Sequence, residues 1–246
     1  MILLFTDYGW QGAYVGQLKA AIHKISASVS VTDLQHDAPQ FNPRASAYLL
    51  ASLIGFISPD AVVLAVVDPG VGNSARRPLV MKADGRWYVG PDNGLFNGIA
   101  KQAEQVEFWR IGWQPEMLTK TFHGRDLFAP VAAMLDIGKM PELTPLSAED
   151  IGFANWPVEL AEAIYVDNFG NVMTGLKGAN VSTDMRIRLA DRDVGFAETF
   201  SAVAEGEGFW YVNANGLVEI AVNQGTAALA YNLKIGDPVY MYQSEV

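Results

Sequence analysis

Residues 61–72 have the sequence AVVLAVVDPGVG, in which an almost wholly apolar run ends abruptly at an aspartate and a glycine-rich turn. Ala61–Val67 has the composition expected of a central parallel strand that is covered on both faces. Similar short runs lie at Ile2–Thr6 and Val29–Leu34, and helical spacing separates them, as at Tyr14–Ile25. This alternation predicts an α/β fold with a mostly parallel sheet and flanking helices.

The rest of the first 150 residues continues this alternation. The sequence predicts a helix at Ala45–Phe56 with Pro43 near its start, a hairpin of Leu79–Lys82 and Arg86–Val89, a helix at Asn97–Gln105, a strand at Val106–Ile111 and a helix at Leu127–Ile137. Together these elements make residues 1–150 a predicted α/β domain.

The pattern changes after about Pro141. Residues 141–155 are rich in proline and acidic side chains and are interpreted as a linker. Beyond them come short β-branched segments separated by Gly, Asn and Asp, at Ala161–Val166, Val172–Leu176, Met185–Leu189, Phe209–Val212, Leu217–Val222 and Pro238–Tyr242. They predict a smaller, all-β, barrel-like domain over residues 156–246.

Charge and composition exclude several classes of function. The chain of 246 residues carries 17 Lys and Arg against 27 Asp and Glu, a net charge of −10, which disfavours nucleic acid or an anionic membrane as a partner. The absence of cysteine removes disulfides, zinc–thiolate sites, iron–sulfur clusters and cysteine nucleophiles. With three histidines, a His-rich metal site is also disfavoured. No targeting signal or apolar run of ~18 residues is recognised, so a cytoplasmic protein is expected.

Four polar clusters lie where an α/β sheet binds its ligands, beyond strand ends or before a helix. They are Thr6–Gly9, Asp68–Gly72, Pro91–Gly94 and Thr121–Asp126. Each alone has a structural explanation, such as Asp7 and Asp126 as helix N-caps or residues 91–94 as a turn. The chain lacks a P-loop and the Gly-x-Ser-x-Gly elbow of serine hydrolases. The positions of these four clusters alone therefore do not identify a reaction.

The three histidines have different surroundings. His123 lies between Phe122 and Gly124, just before a predicted helix, where a neutral imidazole can accept a proton near physiological pH. His23 is expected on the solvated side of the first helix. His36 follows the second strand and is interpreted as a surface turn residue, with a role at a site left open.

Six motifs, taken in order, resemble those of the S-adenosyl-L-methionine (SAM) hydroxide adenosyltransferases, hydrolase relatives of the SAM-dependent fluorinase and chlorinase. They are TDYG at 6–9, VDPGVG at 67–72 followed by Arg76 and Arg77, PDNG at 91–94, FHGRD at 122–126, VDNFGN at 166–171 and EIAVNQG at 219–225. The resemblance extends over both predicted domains.

The resemblance implies a reaction in which water or hydroxide attacks C5′ of the SAM ribose and releases adenosine and L-methionine. It also implies a homotrimer that holds SAM between subunits, with SAM as the substrate and no cofactor or metal. The implied catalytic residues are Asp68, Arg76 and His123. Arg76 is favoured over Arg77, because the segment after Gly72 is one residue longer than the commoner spacing.

The same resemblance assigns the substrate-binding residues. It places Asp7 at the ribose hydroxyls, Asp167 and Glu219 at the methionine end, Phe169 and Asn171 near the adenine, and the backbone of Asn223 and Gly225 beside it. Acidic residues suit a ligand that carries a sulfonium and an amino group.

Three alternatives stay open at this point. A SAM-dependent halogenase would form a 5′-halo-adenosine, but a charged activating set and a short first domain favour water. A metal-assisted phosphoesterase would use Asp7, Asp68, Asp92 and His123. A SAM- or adenosine-binding regulator would bind without turnover.

Overall fold

A computed structural model describes residues 1–73, 75–151, 155–189 and 192–243 of the chain. The chain divides into a first unit, Met1–Asn155, and a second unit, Trp156–Val246. The two units differ in architecture, and each is described by itself.

The first unit is built on a seven-stranded sheet with the strand order β2-β1-β3-β5-β4-β6-β7. β1, β2, β3 and β5 form its parallel part, and β4 and β7 run antiparallel to their neighbours. The strands are β1 (Ile2–Thr6), β2 (Val31–Gln35), β3 (Val62–Val66), β4 (Pro78–Ala83), β5 (Arg86–Pro91), β6 (Val106–Ile111) and β7 (Leu143–Leu146). This confirms the predicted mostly parallel α/β sheet. β7 lies within residues 141–155, of which residues 152–154 are outside the described ranges.

The helices of the first unit are α1 (Tyr14–Ile25), α2 (Pro43–Leu53), α3 (Asn97–Ala100) and α4 (Ala129–Asp136). α2 starts where the sequence predicts a start, since the Asn42 side chain accepts the Ala45 N–H at 3.0 Å and Pro43 occupies the first turn. α3 is shorter than predicted, because the N–H groups of Gln102 and Ala103 both turn back to the Ile99 carbonyl. A π-helical turn at Gly124–Phe128 precedes α4.

Strand order positions the site. β3 is buried at every residue and pairs in parallel with β1, with Thr6 opposite Val66. β2 lies on the other side of β1, so the chain leaves β1 towards one side of the sheet and returns to β3 on the opposite side. A crevice for ligands forms where strand order reverses in this way. Asp7 and Asp68 follow the two strands that flank it.

The second unit consists of two antiparallel sheets, ordered β12-β13-β9-β8 and β11-β10-β14. The strands are β8 (Leu160–Val166), β9 (Val172–Lys177), β10 (Met185–Leu189), β11 (Arg192–Val194), β12 (Gly208–Val212), β13 (Leu217–Val222) and β14 (Tyr240–Gln243), and one short helix, α5, covers Ala227–Ala230. Val172, Ile187 and Trp210 share one buried core, which joins the two sheets. The predicted β-rich second region is confirmed, while β11 and α5 were not predicted.

The helices in the described ranges are all too short or too polar to cross a membrane.

The surface interpretation of His36 is wrong, because its side chain is fully buried. Thr6 and Asp33 lie within hydrogen-bond distance of its two ring nitrogens, which makes this burial possible.

Candidate functional site

A cavity of about 390 Å³ opens in the first unit at the ends of β1 and β3. It brings together Asp7, Asp68 and His123, which the sequence places more than fifty residues apart from one another. The other lining residues are Tyr8, Tyr14, Phe41, Val66, Val71, Thr121, Phe122, Gly124 and Phe128. This first-unit cavity therefore has an acidic wall and an aromatic wall.

Asp68, which lines this cavity, is joined to Arg76. The Arg76 Nη1 donates to Asp68 Oδ1 at 2.9 Å, and the Gly70 N–H donates to the same oxygen at 3.0 Å. The Asp68 side chain is only 6% exposed, so little water competes for the pair. A Cβ on Gly70 would lie 2.5 Å from Arg76 Nη2. A Cβ at position 70 would therefore force the guanidinium to shift from its present place beside Asp68.

Arg77, the neighbouring arginine, has a different partner. Its Nη2 lies 2.8 Å from Asp92 Oδ2, and it also donates to the Asp150 carbonyl. Next to Asp92, the Asn93 side-chain amide donates to the Val67 carbonyl at 2.8 Å and so supports the end of β3. The PDNG motif thus stabilises the end of β3, the strand that Asp68 follows.

Asp7 is not a helix N-cap. α1 begins after Ala13 without a side-chain cap, and the Asp7 carboxylate instead accepts the Phe41 N–H at 3.1 Å. Phe41 has a φ of 56°, which is uncommon outside glycine. Burial raises the pKa of Asp7, the Phe41 hydrogen bond opposes this shift, and the charge of Asp68 adds to it. Keeping the Asp7 carboxylate ionised at the cavity therefore has an electrostatic cost.

The loop that carries His123 is fixed on both sides. Asp126 accepts the N–H and the hydroxyl of Thr119 and pairs with Arg125, and these bonds outweigh burial and lower the pKa of Asp126 to about 2. Asp126 therefore anchors this loop and is not a helix N-cap. On the cavity side, a Cβ on Gly124 would lie 2.2 Å from the Tyr8 hydroxyl. The glycine after His123 allows this close approach.

Three aromatic residues of this cavity, Tyr8, Tyr14 and Phe41, were not assigned from the sequence. The ring of Tyr8 lies 6.0 Å from that of Tyr14 and 5.7 Å from that of Phe122. Burial raises the pKa of Tyr8, and the charges of Asp7 and Asp68 raise it further, so its hydroxyl keeps its proton. The position of Tyr8 directly after Asp7 was the signal available in the sequence.

A second cavity, of about 660 Å³, lies in the second unit. It brings together five residues that the resemblance assigns to substrate binding, Asp167, Phe169, Asn171, Asn223 and Gly225. Its other lining residues are Phe200, Tyr211, Val222, Gln224 and Thr226, which sequence reasoning missed. The ring centres of Phe200 and Tyr211 lie 5.5 Å apart, and both residues fall outside the six motifs.

The VDNFGN motif forms a tight turn at the second-unit cavity. Asp167 Oδ1 accepts the N–H of Phe169 at 2.9 Å and that of Asn171 at 2.8 Å, and Oδ2 accepts the Asn171 side-chain amide at 2.9 Å. Gly170 has a φ of 83° and packs against Thr226. This turn leaves the Phe169 ring 78% exposed. An exposed flat ring on a fixed turn is suited to stacking on a planar ligand.

Glu219 lies beneath the second-unit cavity. Its side chain is almost fully buried and accepts hydrogen bonds from the Tyr211 hydroxyl and from the Asn213 amide, the latter at 2.7 Å. Burial raises the pKa of Glu219, and the two hydrogen bonds oppose the rise. Glu219 thus contacts Tyr211, which lines the cavity, rather than lining it directly.

The described residues contain no group of three or more His, Asp or Glu side chains placed to hold a metal ion. Of the four residues that a phosphoesterase would use, Asp92 is paired with Arg77, away from the lining of the first-unit cavity. The geometry therefore gives that alternative no support.

Comparison with known proteins decides the family. A family model described as the SAM hydroxide adenosyltransferase N-terminal domain matches residues 2–144, and the model of the C-terminal domain of the same family matches residues 161–240. The chain belongs to the SAM hydroxide adenosyltransferase family. These matches confirm the resemblance stated on the six motifs.

Individual relatives of this family member cover nearly its whole length. An (R)-S-adenosyl-L-methionine hydrolase from Thermus thermophilus is 38% identical over 97% of this chain and 98% of its own, and one from Salinispora arenicola is 35% identical over 94% of both. A fluorinase from Actinopolyspora mzabensis is 24% identical over 99% of this chain and 97% of its own. A crystal structure of an uncharacterized conserved protein from Thermotoga maritima, 33% identical, superposes with a TM-score of 0.88 over 99% of this chain and 100% of that chain.

Proposed function

We propose that this family member hydrolyses SAM to adenosine and L-methionine, by attack of an activated water on C5′ of the ribose. The observation that carries the proposal is the Asp68–Arg76 pair at a cavity that His123 also lines. Relatives over nearly the full length that are named SAM hydrolases add to it.

The chemistry fits a site of this composition. In the reaction the water oxygen forms a bond to C5′ while the C5′–S bond breaks, and the electron pair of that bond goes to sulfur. The sulfonium becomes the neutral thioether of L-methionine, so the leaving group needs no general acid. The difficult part is the nucleophile, since bulk water has a pKa near 15.7.

Arg76 and His123 have different roles in activating the water. The arginine stays protonated throughout, and its charge stabilises the hydroxide character that develops on the water. His123 accepts the proton that the water loses. Asp68 fixes the guanidinium through the 2.9 Å hydrogen bond and sets the charge balance of the cavity. Each of these contributions is typically about 2–4 kcal/mol of barrier.

The substrate-binding roles follow the two cavities. We assign Asp7 to the ribose hydroxyls, because its carboxylate lies beside Asp68 on the first-unit cavity. Phe169, Asn171 and the backbone of Asn223 and Gly225 are assigned to the adenine, which the exposed Phe169 ring supports. Asp167 and, through Tyr211, Glu219 are assigned to the methionine end. No cofactor or metal has a role in this mechanism.

A halogenase is the nearest alternative within the same chemistry. Three fluorinases similar to this chain are 23–24% identical to it, whereas four hydrolases are 30–38% identical. His123, which can accept a proton, also suits a water nucleophile better than a halide, because water must lose a proton and a halide has none to lose. Both points favour hydrolysis.

Two further properties are proposed, the first on the resemblance and the second on the sequence. The protein is a homotrimer that holds SAM between subunits, and it acts in the cytoplasm. Light scattering on a size-exclusion column measures the first property, and a mass of one or two chains would contradict it. Cell fractionation measures the second.

Product analysis tests the proposed reaction. The purified protein is incubated with SAM, with and without chloride, bromide or fluoride, and the products are separated by liquid chromatography and identified by mass. Adenosine and L-methionine in equal amounts, unchanged by halide or chelator, are expected. A 5′-halo-adenosine would identify a halogenase, and calorimetric binding of SAM without turnover would identify a regulator.

A further inference from the structure

A chain of hydrogen bonds runs through the first unit from its surface to the end of β1. Lys19 Nζ lies 2.6 Å from Asp33 Oδ2, and Asp33 Oδ1 lies 2.9 Å from His36 Nε2. The other ring nitrogen of His36, Nδ1, lies 2.8 Å from Thr6 Oγ1. Thr6 and His36 are both fully buried, whereas Asp33 and Lys19 reach the surface.

The partners fix the direction of each hydrogen bond. Burial acts to raise the pKa of Asp33, but the hydrogen bonds and charges of His36 and Lys19 outweigh burial and lower it, so Asp33 is an ionised acceptor. His36 Nε2 therefore carries a proton and donates a hydrogen bond to Asp33 Oδ1. When the ring is neutral, Nδ1 is an acceptor, and the Thr6 hydroxyl donates to it. This leaves a lone pair on Thr6 Oγ1 for the Tyr8 N–H, which lies 3.3 Å away.

The chain of hydrogen bonds ends on the turn that carries Asp7. Besides the Tyr8 N–H on Thr6, the Gly9 N–H donates to the His36 carbonyl at 2.6 Å, and the Ala38 N–H donates to the Thr6 carbonyl at 3.2 Å. The edge of the Trp10 ring packs on His36 with the ring centres 5.0 Å apart. His36 therefore binds residues on both sides of Asp7, through its side chain and through its backbone.

Burial excludes a direct chemical role for this set. Thr, His and Asp in series have the order of a nucleophile, a base and an orienting carboxylate. However, Thr6 and His36 are inaccessible and do not line the first-unit cavity. A substrate cannot reach the Thr6 hydroxyl, so the set acts on the position of neighbouring residues.

We infer that His36 is a positioning residue, which with Thr6 and Asp33 fixes the turn after β1 so that Asp7 presents its carboxylate to the substrate. The inference rests on the proposed function, in which Asp7 binds the ribose. On this inference, the buried His36 contributes to substrate recognition although its side chain does not touch the substrate.

A pair of substitutions at Thr6 tests this inference. Thr6→Val keeps the shape of the side chain and removes the hydroxyl, whereas Thr6→Ser keeps the hydroxyl. We expect Thr6→Val to raise the KM for SAM about fivefold with kcat within about twofold, the factor that one ordinary hydrogen bond supplies. Thr6→Ser is expected to restore the KM to within about twofold of the wild-type value.

A second variant covers the case in which Thr6→Val does not fold. Asp33→Asn changes the partly exposed end of the chain, and it should raise the KM about threefold, because the amide is a weaker acceptor than the carboxylate. His23→Gln is the control, because His23 is an exposed residue of α1. It should change neither the KM nor kcat. Nitrogen NMR of His36 should show a proton on Nε2 and none on Nδ1.

The outcomes separate this inference from the proposed function. If Asp7→Asn raises the KM but every folded Thr6 and Asp33 variant stays within about twofold of wild type, the inference alone is wrong. An unchanged KM in Asp7→Asn overturns both the role of Asp7 and the inference. If the wild-type protein does not release adenosine from SAM, the proposed function itself has failed.

Discussion

Two arginines that are neighbours in the sequence form two separate ion pairs in the first unit. Arg76 pairs with Asp68 at 2.9 Å and Arg77 pairs with Asp92 at 2.8 Å, and both carboxylates are nearly buried. The pairs differ in location, since Asp68 lines the first-unit cavity and Asp92 does not. Arg77 also holds the Asp150 carbonyl. The same pair of residue types thus faces a cavity in one case and ties segments together in the other.

The difference shows why residue type alone does not indicate function. A guanidinium contributes to catalysis only where charge develops in the transition state. Elsewhere the same group contributes hydrogen bonds that are worth about 1.5–3 kcal/mol to stability when they involve charge. The two pairs should therefore respond in opposite ways when each arginine is removed.

The largest expected effect comes from removing the two arginines one at a time. Arg76→Met should lower kcat for adenosine formation about a hundred- to a thousandfold, because in the proposed mechanism the developing hydroxide loses the cation that stabilises it. The Kd for SAM should change by about threefold or less. Arg77→Met should keep kcat within about twofold and instead lower the free energy of unfolding by about 1–3 kcal/mol. Steady-state kinetics, calorimetry and urea unfolding measure these quantities.

The comparison is reversed if Arg77→Met loses turnover and Arg76→Met keeps it. In that case the longer segment after Gly72 has shifted the assignment by one residue. His123→Ala provides an internal reference, since it should depress kcat together with Arg76→Met and leave stability nearly unchanged.

Asp7 adds a third carboxylate to the comparison of the two ion pairs. It lines the same cavity as Asp68, but its carboxylate accepts a backbone N–H and is not paired with an arginine. Asp7→Asn keeps an acceptor for the Phe41 N–H and removes the charge. The Kd for SAM should rise about ten- to a hundredfold, since hydrogen bonds to a charged acceptor are lost, while kcat at saturating SAM changes little. Calorimetry at neutral pH gives the Kd, and an unchanged Kd would contradict the assignment.

The raised pKa of Asp7 predicts a dependence on pH in the wild-type protein that Asp7→Asn tests. Burial holds the pKa above 3.8 in the folded protein, so the folded state binds this proton more tightly than the unfolded state. The contribution of Asp7 to stability is therefore favourable at low pH and is lost as the pH rises through the folded pKa. Wild-type SAM binding should weaken as the pH falls through that value. Asp7→Asn should remove this dependence and should raise the Tm at neutral pH.

Much of the fold was predictable, because it depends on local patterns. The run Ile2–Thr6 is bounded by a polar turn, and β1 covers the same residues. β7 was not predicted, since Pro145 has low strand propensity and only pairing with β6 holds this segment in the sheet. β11 is three residues long and is likewise defined by its pairing with β10.

The site was predictable only where a motif keeps its residues together. The motifs placed Asp68 and His123 near strand and helix ends, but the choice between Arg76 and Arg77 depends on which carboxylate each side chain meets. The burial of His36 depends on Thr6, thirty residues earlier in the chain. Phe200 and Tyr211 meet at the second-unit cavity through tertiary packing. Contacts of this kind have no periodicity that a single sequence displays.

The smallest expected effect tests how closely Arg76 must approach Asp68. Gly70→Ala places a Cβ 2.5 Å from Arg76 Nη2, so the guanidinium must move, although the long side chain can move at low cost in stability. We expect kcat to fall about tenfold with the Tm nearly unchanged. Gly55→Ala is the matched control, because its Cβ would meet nothing within 4 Å and its backbone needs no left-handed conformation. If both variants keep full kcat, the Asp68–Arg76 geometry is not what activates the water, and a structural pair like that of Arg77 would be the better description of Arg76.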